Sequence, residues 1–506
     1  LPRTLKITAW FIAFAALLAG AIYFDLAFHL RLIARELSPG QPARAQNQFP
    51  QVPVCRGCNV VLVMLDTFRA DRLGLYSGGK SLTPHLDAIA AQGLVFPNAF
   101  SNAFYTTPSH VTLFTSLYPQ THQVVNRRLK VPRVRNSNLE VKSNPLPDKY
   151  LTLAQLLRRQ GYQTLASAPQ NFNHLEEALG LFRGFDIHHA PVFPRAVVRE
   201  AGQSGFDLAK WRAFSANLKP PFFMFVHSYI THLPYVAEEL QPAAAFPLAQ
   251  KRILDAYHDS NLWNKKRNSE GAEFVPACGD LSDIKACSQH IGPDALSHSI
   301  GLFQLRTISR AIRDDRDGAQ KNETLPMAYN ANVRDLDDQI GKFWQEAAQL
   351  KNTIFIFVSD HGEELFEHGE GSHSSLYDHT IRIPLFMVGP GIPRGTNESM
   401  VSLVDLMPTI LDLTGSAPAT QAQGQSLMSG EPRPEIVFGF TLGMEFARTR
   451  QWKYLLNERG QHELYYLPLD PLEQKNLIHS RNWKVAQAKR ELEKQMDLWK
   501  LSTALK

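Results

Sequence analysis

Three short apolar runs constrain the fold more than any other feature of this chain: residues 59–65 (NVVLVML), 221–226 (PFFMFV) and 353–358 (TIFIFV). Each has strand length and is rich in β-branched or aromatic residues. None alternates with polar residues, so each is expected to be buried on both faces, as in a parallel sheet covered by helices. Helical patterns lie between the runs. Residues 83–93 carry Thr83 as the expected cap and Pro84 in the first turn, and residues 327–350 form a second, longer helix. Strands alternating with helices predict an α/β fold with a doubly wound, mostly parallel sheet.

Each run is followed by residues suited to metal binding or catalysis: Asp66, His227, and the pair Asp360 and His361. In open α/β sheets, ligands bind beyond the carboxyl ends of the strands. Any one of these residues alone would serve as a strand cap. Three endings from distant positions point to one shared site.

Composition sets the outer bounds. The chain has 506 residues, 44% hydrophobic and 20% charged, which allows one large domain and a smaller one. Its 53 basic and 48 acidic side chains are scattered, giving no argument for nucleic acid. Residues 7–24 are apolar, and Arg3 and Lys6 precede them. They read as a membrane anchor or a cleaved signal peptide within an N-terminal segment 1–35. A Pro- and Gly-rich linker (36–58) follows, then a catalytic domain over 59–415, interrupted by an irregular insertion at 236–326. Residues 416–506 form a smaller α+β subdomain, with strand candidates at 435–441, 453–458 and 462–467 and a charged helix from about 482. Cys55, Cys58, Cys278 and Cys287 predict one or two disulfides in an exported chain, with a pair of the latter two pinning the insertion. A zinc site or a redox motif is the alternative.

Three segments carry chemistry. In 100–122, Pro108 fits the first turn of a helix, which puts Thr106 just ahead of its N-terminus, where free N–H groups favour an anionic ester. A hydroxyl there, beside a metal, is an activated nucleophile; the plainer alternative is a helix cap. In 359–373, Asp360 and His361 supply oxygen and nitrogen ligands, and His368 and His373 follow in a Gly-rich loop. In 226–234, His227 and His232 follow a buried strand.

Residues 65–78, 83–101, 106–122, 223–235 and 359–369 resemble the sulfatase family in order and spacing, and 381–391, 401–415 and 463–477 continue the match. The resemblance implies an α/β/α sandwich like that of alkaline phosphatase, a C-terminal subdomain with a small antiparallel sheet, and cleavage of sulfate or phosphate esters. It implies that Asp66, Asp360 and His361 bind a metal and that Thr106 is the nucleophile and a further metal contact. His110 stands where the family signature has an arginine. His232 matches a ligand of the substrate oxygen and leaving-group acid, with His227 as the other candidate acid. His373 falls where a Lys or His touches the same group, and Arg69 and His368 are read as substrate-binding.

Two departures matter. Conventional sulfatases convert Cys or Ser to formylglycine, and Thr106 is unsuited to that conversion. An aldehyde hydrate lets a sulfated intermediate collapse, whereas threonine favours a phosphoryl intermediate cleared by in-line attack. The usual Asp-Asp pair is Asp66-Thr67 here. The expectation is therefore one divalent ion (Mn, Zn, Ca or Mg) with no formylglycine. The substrate would be a small-molecule, glycan or lipid-headgroup ester outside the cytoplasm. A lipid-headgroup phosphotransferase and an inactive sulfatase-like binding protein are the alternatives.

Overall fold

The run at 59–65 forms a central strand, β1 (Asn59–Leu65), with every residue buried. A computed structural model describes residues 55–78, 81–124, 144–168, 179–189, 192–193, 206–232, 235, 324–369 and 371–504. Seven more strands join β1 in one sheet: β2 (Leu94–Val95), β3 (Gln163–Ser167), β4 (Ile187–His189), β5 (Phe222–Ser228), β6 (Thr353–Val358), β7 (Leu385–Val388) and β8 (Gly395–Thr396). Their spatial order is β8-β2-β7-β6-β1-β5-β3-β4. From β4 through β6 the strands run parallel. Strand β7 is antiparallel to both its neighbours.

Side-chain parity divides the sheet into two cores. Val60, Leu62 and Met64 of β1, Phe223 and Phe225 of β5, and Ile354, Ile356 and Val358 of β6 point to one face. There they meet helices α2 (Thr106–Thr115), α3 (Leu153–Arg159) and α6 (Leu406–Thr414). The alternate residues, such as Val61, Val63, Met224 and Phe357, point to the other face. They meet α1 (Pro84–Ala90), α4 (Leu208–Ser215) and α5 (Thr324–Ala347). The unbroken apolar runs are thus explained, since both faces are covered. Each fully buried Phe or Leu here contributes about 1.5–3 kcal/mol. The same parity puts Asp66, one residue past β1, His227, within β5, and Asp360, two residues past β6, on the α2 side.

Helix α1 corrects one expectation. Thr83 occupies the cap position but makes no side-chain cap bond; its hydroxyl instead accepts the Gly74 N–H at 3.1 Å. Asp337 of α5 caps α1, accepting the N–H groups of His85 and Leu86 at 3.0 and 2.8 Å. A cap supplied from another helix has no local sequence signature.

His122 closes the segment that follows α2. Its Nδ1 accepts the Val124 N–H at 3.0 Å, and its Nε2 lies 3.2 Å from Thr112 Oγ1. Burial lowers its pKa from 6.5 to about 3. Below pH 6.5 the unfolded chain binds this proton and the folded chain does not. Stability is therefore present above pH 6.5 and lost as pH falls toward 3, by up to about 1.4 kcal/mol per pH unit. A His122→Gln variant is expected to show a flatter dependence of urea-unfolding free energy between pH 6.5 and 4. Parallel slopes for the two proteins would refute this account.

The C-terminal part is an antiparallel meander, β9 (Ile436–Thr441), β10 (Met444–Thr449), β11 (Trp452–Leu456) and β12 (His462–Tyr466), covered by α7 (Trp483–Ala504). Strand β10 was not among the sequence expectations, because Glu445 and Arg448 interrupt its apolar pattern. Tertiary partners explain them: Glu445 pairs with Lys500 of α7, and Arg448 with Asp378.

Cys55 and Cys58 are disulfide-bonded to each other, which removes them from the zinc alternative. Cys278, Cys287, the apolar segment 7–24 and most of the insertion lie outside the described residues. Among the described residues no helix is long and apolar enough to cross a membrane.

Candidate active site

Polar side chains stitch together the strand ends that carry the site. Ser359 Oγ lies 2.6 Å from the carbonyls of Leu65 and His361 and accepts the Phe68 N–H at 3.0 Å. Tyr329 of α5 donates its hydroxyl to Thr67 O at 2.7 Å and accepts the Arg69 N–H at 2.9 Å. Thr67 itself adopts φ 55°, uncommon for a β-branched residue. That turn aims its N–H at Asp360 Oδ1, 3.1 Å away, while its hydroxyl donates to Asp66 O at 2.7 Å. Thr67 thus holds the loop together, and its hydroxyl is directed at the backbone carbonyl of Asp66.

Thr106 is the first residue of α2, with Pro108 third. The helix thus takes in Thr106, which was expected just ahead of it, because the first N–H groups of a helix have no intrahelical acceptor and proline is tolerated throughout its first turn. Thr106 Oγ1 lies 3.2 Å from His361 Nε2 and 3.5 Å from Asp66 Oδ2. His361 Nδ1 is 2.8 Å from Gly362 O, a group that only accepts, so Nδ1 carries the proton and Nε2 presents a lone pair. Asp360 accepts the Thr67 and His361 N–H groups through Oδ1. Its Oδ2 is buried, accepts no hydrogen bond among the described residues, and sits 3.4 Å from His361 Nε2. Ligand atoms of Asp66, Asp360 and His361 fall within 4.8 Å of one another. Two buried carboxylates, a buried imidazole lone pair and a nearly buried hydroxyl fit a divalent cation.

Histidines ring this cluster. His110, one helical turn after Thr106, brings Nε2 to 3.8 Å from Asp360 Oδ2. His227 Nε2 donates to Asp66 Oδ2 at 3.1 Å. Burial, with His110, His232 and His361 nearby, holds the His227 pKa well below the usual histidine range, so this ring is neutral. His232 is half-buried and stacks on Tyr229, with centroids 4.2 Å apart. His373 packs against both His232 and His361, at 5.1 and 4.5 Å. Its Nδ1 is 3.2 Å from Glu363 Oε1. Sequence reading passed over Glu363, although its place beside the Asp-His pair was a usable signal. Burial pushes its carboxyl well above the ordinary range, opposed by a hydrogen bond from Tyr235 and by Arg69.

Two expected substrate contacts are placed elsewhere. The buried Arg69 guanidinium binds Asp71, Glu367 and Glu363 O, tying the end of β1 to the loop after β6. His368 meets Glu473 O, Gln474, Tyr377, Glu364 and His379, and no residue of the Thr106 cluster.

The α/β/α sandwich thus carries a buried candidate metal-ligand set at its strand ends, facing a hydroxyl at a helix N-terminus. The family model described as Sulfatase matches residues 58–416, and the chain belongs to the sulfatase family, within the alkaline phosphatase superfamily. It is thus a sulfatase-family hydrolase of sulfate or phosphate esters. Arylsulfatase K of Canis lupus familiaris is 25% identical over 467 residues, covering 83% of this chain and 78% of that protein. The structure of a 2-O GAG sulfatase superposes with TM-score 0.62 at 19% identity, covering 89% of this chain and 93% of its own. The phosphonate monoester hydrolase of Agrobacterium radiobacter gives TM-score 0.57 at 20% identity, covering 88% and 96%.

Proposed function

We propose that this chain hydrolyses phosphate esters with Thr106 as nucleophile, Asp66, Asp360, His361 and Thr106 Oγ1 holding one divalent ion. The observation that carries the reading is the position of Thr106 Oγ1, 3.2 Å from a fixed imidazole lone pair at the start of α2. When bound, the ion lowers the hydroxyl pKa and draws charge from the ester oxygens.

The Thr106 hydroxyl gives its proton to solvent water, and its oxygen attacks phosphorus in line with the leaving oxygen. The new P–O bond to Thr106 forms as the bond to the leaving group breaks. His232 donates a proton to the departing oxygen, being half-buried beside His373. The neutral, enclosed His227 holds Asp66 in place instead. His110 and His373 contact the transferred group, with Glu363 orienting His373. Water then attacks phosphorus and passes a proton to His232, the P–O bond to Thr106 breaks, and Thr106 regains its proton from solvent as the phosphate product leaves. Threonine lacks the aldehyde hydrate that clears a sulfated enzyme, which argues against sulfate esters. Arg69 is a positioning residue in this scheme.

We assign catalysis to residues 59–415 and the covering subdomain to 416–506. The apolar run at 7–24 and the Cys55–Cys58 disulfide support a site outside the cytoplasm, tethered to a membrane. Glycan and lipid-headgroup esters are the substrate classes such a placement favours.

The test is a panel of aryl phosphate monoester, phosphate diester and aryl sulfate, each with Mn, Zn, Mg or Ca. A phosphate ester is expected to exceed the sulfate in kcat/KM by roughly 100-fold. Preferential sulfate cleavage would overturn the proposal.

A further inference from the structure

One residue beyond Glu363, a second set of ligating side chains meets. Glu364, His368 and His379 bring ligand atoms within 4.8 Å of one another. Glu364 Oε1 lies 3.9 Å from His368 Nδ1 and 3.8 Å from His379 Nε2. Hydrogen bonds of this type span about 2.7–3.2 Å. Accordingly, neither Glu364 oxygen, nor His368 Nδ1, nor His379 Nε2 has a hydrogen-bond partner among the described residues. The Glu364 side chain is 1% exposed and that of His379 6%.

The backbone explains why these three side chains meet. Glu364–Leu365 pairs with Gly371–Ser372, and His368 lies in the turn between them. Gly362 N donates to Thr380 O at 2.6 Å and Glu363 N to His379 O at 3.2 Å, which draws His379 alongside. A Cβ at position 362 would collide with the His379 carbonyl oxygen, so glycine permits this approach. His368 Nε2 is 3.0 Å from the carbonyl of Glu473, which only accepts. Nε2 therefore carries the proton, and the Nδ1 lone pair faces the Glu364 carboxylate. Tyr377, stacked on the ring at 3.6 Å, holds that orientation.

A carboxylate and an imidazole lone pair directed at each other in a desolvated space repel unless a positive charge lies between them. We propose that Glu364, His368 and His379 form a second divalent-cation site, distinct from the Asp66, Asp360 and His361 cluster. Two imidazoles and one carboxylate form a zinc-type set, with water as the fourth ligand. Ligands about 2.1 Å from a tetrahedral ion lie about 3.4 Å apart, so each Glu364–imidazole distance needs to close by only about half an ångström. His368, bonded through Nε2 to Glu473 O, makes the ion a tie between the catalytic loop and the C-terminal segment. No member of the Thr106 cluster takes part, so the proposal does not rest on the catalytic reading.

The test counts ions. Metal-free full chain is dialysed against Zn²⁺ and analysed by mass spectrometry, alongside Glu364→Gln and His379→Gln. Each variant is expected to bind about one Zn²⁺ fewer than the parent, whatever the occupancy of the other cluster. Equal uptake by the parent and a folded variant would overturn the site. Should both variants misfold, the Asp360→Asn protein, which keeps Glu364, His368 and His379, decides. It is expected to take up about one Co²⁺ with visible d–d absorption; no such spectrum overturns the proposal.

Discussion

Replacing Thr106 by alanine is expected to lower turnover of the best phosphate ester by about 1,000-fold or more, since removal of a nucleophile leaves only binding and electrostatic catalysis. The protein should still fold. Thr106 is small and sits at the start of α2, and alanine has the higher helix propensity. Asp66, Asp360 and His361 remain, so metal content should persist with reduced affinity. Acid quenching of the parent during turnover should trap one phosphoryl group on the peptide containing Thr106. Turnover at the parent rate in the alanine variant would remove Thr106 from the mechanism.

Asp360→Asn is the second large effect. Asn preserves Oδ1 as acceptor for the Thr67 and His361 N–H groups, so the loop keeps its backbone bonds. It replaces Oδ2, the buried oxygen without a hydrogen bond among the described residues, by an amide that repels a cation. Changes around a metal that leave its ligands intact cost about 10- to 100-fold in affinity. Loss of a ligand should exceed that, and activity should fall with occupancy. Metal titration calorimetry and rates at increasing metal concentration read both. Unchanged affinity would show that Asp360 is not a ligand.

Much of this arrangement was legible in the sequence, for identifiable reasons. Unbroken runs such as 353–358 announce strands buried on both faces, because no other surface tolerates them. Asp66, His227 and Asp360 stand out because they follow such runs. Thr106 was visible through Pro108, although the helix starts earlier than proline alone indicates. Other features left no local trace. Asp337 caps α1 from α5, and strand β10 carries charges whose partners are distant in sequence. Arg69 and His368 looked available for substrate, yet their partners are protein groups.

Taken alone, the sequence determined the three central strands of the sheet and three of the four strands of the C-terminal meander, and which chemically capable residues lie at the ends of the central three. Those are local properties, set by side-chain type and order. Only the tertiary structure decided that Asp66, His227 and Asp360 project to the same face. Parity along a strand becomes a direction in space only when neighbouring strands lock in register, as Met64 does with His227 and Val358. The same locking sets Thr106 beside His361 and leaves Glu364 facing two histidines, because a loop's shape follows from the backbone it pairs with.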